Sequence, residues 1–159
     1  MLFMLGASTA YHASTDPEKR RVLQIVDHMS IYVLIAGSYT PICMTTLRGP
    51  WGWSLLAVVW SMALLGVLLK TRFTGRYDRL STAIYLIMGW LCVVAAVPMV
   101  ELLRGQALIL LVLAGLTFST GVFFYLKDHR RGFHLTWHFF VIGGCVGLYG
   151  AVFFEIVWV

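Results

Sequence analysis

The chain has 159 residues, 60% apolar and only 12% charged, with a formal net charge of +5. A soluble domain carries about 45–50% apolar and about 25% charged residues, so a water-soluble fold is excluded and an all-α, polytopic transmembrane bundle is expected, one integral membrane domain over residues 1–159. The positive excess sits in short loops between apolar stretches, which points to membrane orientation rather than to nucleic acid as a partner.

Six apolar stretches follow in order: 1–12, 22–47, 51–69, 80–100, 107–126 and 134–159. The first, 12 residues long, reaches about 18 Å at about 1.5 Å per residue, little more than half of a ~30 Å hydrocarbon core. It reads as part of a longer helix, cut short by truncation or by a mis-assigned start. No basic flank precedes it and no A-x-A site follows, so it does not read as a cleaved leader. The other five are each long enough to cross a membrane. Pro41 in the second stretch and Pro98 near the end of the fourth are expected to kink or open their helices. Cys43, Cys92 and Cys145 lie in three different stretches without C-x-x-C spacing and read as packing residues. Gly143 and Gly147 form a G-x-x-x-G spacing, which permits close contact inside the bundle or between two copies.

The loops set the topology. Lys19, Arg20 and Arg21 follow the first stretch; Lys70, Arg72, Arg76 and Arg79 follow the third; Lys127, Arg130 and Arg131 follow the fifth. The alternate loops hold only Arg48 and Arg104, a bias of ten to two. By the positive-inside rule the basic loops are cytoplasmic and both chain ends lie on the far side. Trp51, Trp53 and Trp158 then fall at the outer interface, where indoles are favoured.

This topology places several polar residues at one depth. His12 closes the first stretch, with Ser8 one turn earlier on the same face. Asp27 lies near the cytoplasmic end of the second, and His134 and His138 open the last, four residues apart. Ionisable groups in membrane helices are expensive and mark functional sites by default. Three imidazoles with one open position are a catalytic zinc arrangement, and such a zinc acidifies its bound water. The zincin motif H-E-x-x-H carries its base between the histidines; here Leu135 follows His134, so a base has to come from another helix. Asp27 is the best-placed carboxylate. Ser8 would donate a hydrogen bond to Asp27, to the water or to a substrate carbonyl.

Each candidate also has a plainer reading. A lone H-x-x-x-H is common without a metal, His12 at a helix end suits the headgroup layer, and Asp27 beside basic residues suits an interfacial ion pair. Their common depth favours the metal. His28 points about 100° away from Asp27 and is left out of the ligand set. His129 sits in a charged loop, and Glu155 lies at the outer end, far from the histidines.

Beyond these spacings, the residues resemble the hemolysin III family, within the wider superfamily of progestin and adiponectin receptors. The similarity rests on Ser8-Thr9-Ala10-Tyr11-His12, on Val26-Asp27-His28-Met29-Ser30-Ile31-Tyr32 continuing into Ile35-Ala36-Gly37-Ser38-Tyr39-Thr40-Pro41, on Tyr85-Leu86-Ile87-Met88-Gly89-Trp90, and on His134-Leu135-Thr136-Trp137-His138. The resemblance implies a seven-helix protein with a cytoplasmic N-terminus. In it the six stretches correspond to helices 2–7, and the first helix and outer half of the second are missing. It further implies a zinc on His12, His134 and His138, with Asp27 and Ser8 in the same site. The superfamily's alkaline ceramidases imply hydrolysis of a lipid amide, and the bacterial branch implies an inner-membrane location. The leading expectation is a zinc-dependent hydrolase of a lipid amide or ester, with membrane lipid as partner and substrate. The alternatives are a cytolytic or pore-forming protein, and a non-catalytic receptor with a structural zinc.

Overall fold

The computed structural model describes residues 1–74 and 77–158; Arg76 and Val159, both invoked above, lie outside the described residues. Every regular element among the described residues is helical: α1 (Leu2–Ala13), α2 (Pro17–Met44), α3 (Pro50–Phe73), α4 (Asp78–Trp90), α5 (Ala96–Leu102), α6 (Gly105–Tyr125) and α7 (Phe133–Val152). A 3₁₀ turn, Leu91–Ala95, joins α4 to α5 within one span, and α7 runs on into a π turn, Phe153–Val157. Five runs are long and apolar enough to cross a membrane: Pro17–Met44, Pro50–Phe73, Asp78–Leu102, Gly105–Tyr125 and Phe133–Val157. The chain is a multi-pass membrane protein. Its outer surface agrees, since Leu64, Leu65 and Leu68 of α3 are 61–63% exposed, a burden in water but suited to lipid.

Local chemistry sets the helix ends. Asp16 caps α2 by accepting from the backbone N–H of Glu18 at 3.0 Å and of Lys19 at 3.3 Å, with Pro17 opening the first turn. The helix therefore starts five residues before the apolar stretch does, because the cap rather than hydropathy ends the loop. Lys70 departs from its reading as a loop residue. It lies in the last turn of α3, is 3% exposed, and places its Nζ 2.9 Å from Asp78 Oδ1 at the start of α4. Its charge is neutralised between the end of α3 and the start of α4, which permits its burial.

Two clusters pack the interior around α2 and α3. Ile42, Cys43, Leu47, Leu55 and Leu56 meet Ala95, Met99 and Leu103 near the α2–α3 connection. Tyr32, Ala36, Val59, Ala63 and Met88 pack further from it, where the Tyr32 ring lies flush against Gly66. A third cluster, Met4 with Val141 and Cys145, fastens short α1 to α7. A Cβ at Gly147 would meet Ala114 at 3.1 Å and one at Gly143 would meet Thr117 at 3.5 Å, so this G-x-x-x-G face packs on α6 within the bundle.

The fourth span breaks earlier than Pro98 alone requires. Pro98 has no N–H for the Val94 carbonyl, but the 3₁₀ turn begins at Leu91. The second cause is Tyr39 of α2. Its hydroxyl accepts from the Cys92 N–H at 3.0 Å and lies 2.7 Å from the Met88 carbonyl. The phenol is thus inserted into the bond that Cys92 and Met88 would share in an α-helix, a recognised cause of helix bending. Within lipid these groups have no water to turn to. Tyr39→Phe is expected to lower stability by about 1–3 kcal/mol, read as an earlier thermal unfolding transition in detergent. An unchanged transition would mean that the helix closes the gap unaided.

Glu155 is a staple in the π turn that follows α7. Its carboxylate accepts from Thr46 Oγ1 at 2.7 Å and from the Arg104 backbone N–H at 2.9 Å, while the Arg104 guanidinium donates to the Trp158 carbonyl. It joins the α2–α3 loop, the start of α6 and the π turn. Glu155→Ala is expected to cost about 1–3 kcal/mol, because hydrogen bonds to a charged group are lost, with Glu155→Gln milder. Thermal melts of both variants check the order.

Candidate metal centre

The ends of two helices build the centre. The Met4 cluster holds α1 against α7, so His12, in the last turn of α1, comes to lie over the first turns of α7. There a left-handed Gly132, at φ 84°, turns the chain into the helix, a conformation that favours glycine. His134 and His138, one turn apart, project from one face of α7.

The three imidazoles converge. His134 Nε2 lies 3.3 Å from His12 Nε2 and 3.2 Å from His138 Nε2. One ligand nitrogen from each ring falls within 4.8 Å of the others. Tetrahedral zinc with Zn–N near 2.0–2.1 Å separates its nitrogen ligands by about 3.3 Å, so two sides of the triangle already have that length. The donor set, three neutral-capable imidazoles, also suits zinc. Among the described residues this cluster contains no carboxylate or thiolate. His12 is exposed, whereas His134 and His138 are half-buried. Asp128 Oδ2 lies 3.9 Å from His134 Nδ1, on the side of the ring facing away from the cluster, where an outer partner would orient a ligand imidazole.

Asp27 and Ser8 stand beside the triangle. Both are half-buried, and the Ser8 hydroxyl neighbours the Asp27 carboxyl. Ser8, Asp27 and His138 together line one end of a cavity of about 360 Å³. From there the cavity runs between the helices past Tyr85, Trp137 and Phe118 to Cys43, Met99 and Val100. Its wall is overwhelmingly apolar. The centre therefore has two faces: exposed His12 on one side, and His138 toward the apolar cavity.

Of the remaining histidines, His28 is not in the cluster. Its carbonyl accepts from the Tyr85 hydroxyl at 3.0 Å, and its Nδ1 is buried without a partner. His129 is exposed. The sequence reading missed Tyr85 and Tyr125, which line the cavity beside Asp27. Tyr85 stands in one of the motifs that carry the family resemblance, but with no role attached; for Tyr125 the signal is only an aromatic near the end of an apolar stretch, where interfacial tyrosines are common anyway.

Comparison with known proteins adds the following. The model of a family described as haemolysin-III related matches residues 1–149. Hemolysin-3 of Bacillus cereus is 41% identical over 157 residues, covering 99% of this chain and 72% of that protein. A hemolysin-3 homolog of Bacillus subtilis (strain 168) is 42% identical over 157 residues, covering 99% of this chain and 74% of that protein. No solved structure matches the chain.

Proposed function

The chain belongs to the hemolysin III family, and on that premise we propose a zinc-dependent hydrolase that cleaves an amide or ester of a membrane lipid at the cytoplasmic leaflet. The observation that carries this reading is the triangle of His12, His134 and His138 opening beside Asp27 onto an apolar cavity. A structural zinc site is closed by four protein ligands, whereas a catalytic one keeps a position free. Three imidazoles without a fourth protein donor among the described residues follow the second pattern.

His12, His134 and His138 would hold the metal. When bound, zinc supplies Lewis acidity, polarising a scissile carbonyl and acidifying a water. The protein's own groups do the rest. The cavity takes the apolar tail and keeps water from it, so the linkage lies at the polar end among Ser8, Asp27 and His138. Asp27 accepts the proton of the attacking water at a carboxylate oxygen and returns it to the departing amine or alcohol. Ser8 holds that carboxylate by its hydroxyl. In this reading the six helical runs are helices 2–7 of a seven-helix fold, residues 1–159 form one integral membrane domain, and the host membrane is a bacterial inner membrane, in keeping with the bacterial relatives.

The test is release of fatty acid from a panel of ceramides, acylamides and lysolipids by purified protein. Chelation should abolish release and added zinc should restore it. A fully zinc-loaded protein that releases nothing from the panel would end the hydrolase reading. A second reading, lysis of membranes, is favoured by the relatives being called hemolysins. It predicts leakage from dye-loaded vesicles that persists in the His134→Ala/His138→Ala double variant. A third, a receptor whose zinc only ties α1 to α7, predicts that Asp27→Asn leaves signalling intact.

A further inference from the structure

The cytoplasmic rim of the centre carries a cation that the chemistry above does not use. Arg20 lies in the first turns of α2, and its guanidinium carbon sits 5.4 Å from the centre of the Tyr11 ring. That ring stands edge-on to His12 at 4.7 Å. The described ion pairs join Lys19 to Asp16, Lys70 to Asp78 and His134 to Asp128; among the described residues no carboxylate pairs with Arg20. Stacking on an aromatic face leaves the in-plane N–H edges of a guanidinium free. Those edges suit a phosphate, which they can grip with two parallel hydrogen bonds.

Position makes this specific. Arg20 and Asp27 are seven residues apart on α2, two turns along nearly the same face and about 10 Å apart along the axis. Arg20 is exposed at the cytoplasmic edge, and Asp27 is half-buried at the mouth of the cavity. From the cytoplasm inward the order is cation, histidine triangle with carboxylate, then apolar cavity. A phospholipid of the inner leaflet has its parts in the same order: phosphate, acyl linkage, hydrocarbon tail.

We propose that the lipid recognised at this centre carries an anionic phosphate headgroup, held by the guanidinium of Arg20 above the Tyr11 ring while its tail enters the cavity. The inference rests on the hydrolase reading only in taking that lipid as the substrate; the binding itself does not need turnover. Electrostatic attraction of basic juxtamembrane groups for anionic lipid supplies the general driving force, and Arg20 supplies the site.

The experiment is native mass spectrometry of detergent-purified, zinc-loaded protein equilibrated with equal dioleoylphosphatidylglycerol and dioleoylphosphatidylcholine. Wild type should retain the anionic lipid over the zwitterionic one by about tenfold, the scale of a charge-assisted hydrogen-bond pair. Arg20→Gln should bring the two near parity, Arg20→Lys should keep part of the preference, and Arg131→Gln, in the α6–α7 loop, should keep all of it. Zinc content of each variant shows that the centre is still assembled. Parity in wild type, or an undiminished preference in Arg20→Gln, overturns the proposal. Displacement of the lipid by excess inorganic phosphate also overturns it, since that assigns the site to a soluble anion. A clear preference without any turnover removes the hydrolase and leaves the headgroup site; turnover indifferent to headgroup does the reverse.

Discussion

Replacing His138 with alanine is expected to lower the zinc content of the purified protein from about one per chain to below about a tenth. Loss of an outer hydrogen-bond partner of a metal ligand already costs about 10–100-fold in affinity, and His138 is a ligand itself in the proposed site. Its Nε2 lies 3.2 Å from that of His134, and it is the imidazole that faces the cavity. His28→Ala is the control. That ring is outside the cluster, and the bond His28 receives from Tyr85 ends on its backbone carbonyl, which alanine retains. A second readout follows from the connections. The metal would join the last turn of α1, which packs mainly along α2, to the first turns of α7, adding to the Met4 cluster. Binding to the native state alone stabilises by about 4 kcal/mol at a thousandfold excess over Kd. Chelator should therefore lower the melting temperature of wild type and leave that of His138→Ala unchanged. Acid should act like chelator, because imidazoles ligate only when unprotonated. Equal zinc in wild type and variant would remove the centre altogether.

The sequence displayed some of this and concealed the rest, for definable reasons. The spans were legible because lipid demands about 20 apolar residues at a stretch. Because successive spans run in opposite senses, His12, His134 and His138 fall at one end of the bundle, each at the matching end of its stretch. Hydropathy could not show where Lys70 goes. Its burial depends on Asp78, eight positions on at the start of the next helix, and on the 2.9 Å pair that cancels its charge. Nor could it reveal Tyr39. Pro98 announced a break, but the position of the break depends on a hydroxyl from another helix entering the ladder between Met88 and Cys92. The start of α2 was a different kind of miss: Asp16-Pro17 is a local capping signal that outweighed the apolar boundary. Long-range polar contacts are therefore the part that a single sequence withholds. They require knowledge of which helices are neighbours.

Asp27→Asn is expected to lower turnover by about 10²–10⁴-fold, the usual contribution of a positioned general base, while zinc stays near one per chain. The substitution keeps the shape and the Ser8 contact and removes only the capacity to take a proton. Two facts make Asp27 the group to test. It stands beside the histidine triangle but outside its ligand atoms, so its loss should spare the metal. It also lines the end of the cavity where a lipid linkage would lie, together with Ser8 and His138. The loss should fall on kcat with KM little changed, because proton transfer matters in the transition state and not in binding the tail. Ser8→Ala should cost less, about tenfold, since it removes one hydrogen bond to a carboxylate that remains in place. This ordering separates the three functional readings. A hydrolase loses turnover in the order Asp27→Asn, then Ser8→Ala, with metal retained. A zinc-tied receptor shows no difference between Asp27→Asn and wild type in stability or signal. A lytic protein leaks vesicles equally with either residue changed. Turnover surviving in Asp27→Asn would mean that the proton goes elsewhere, and Tyr85 and Tyr125, which share the cavity wall, would be the next groups to replace.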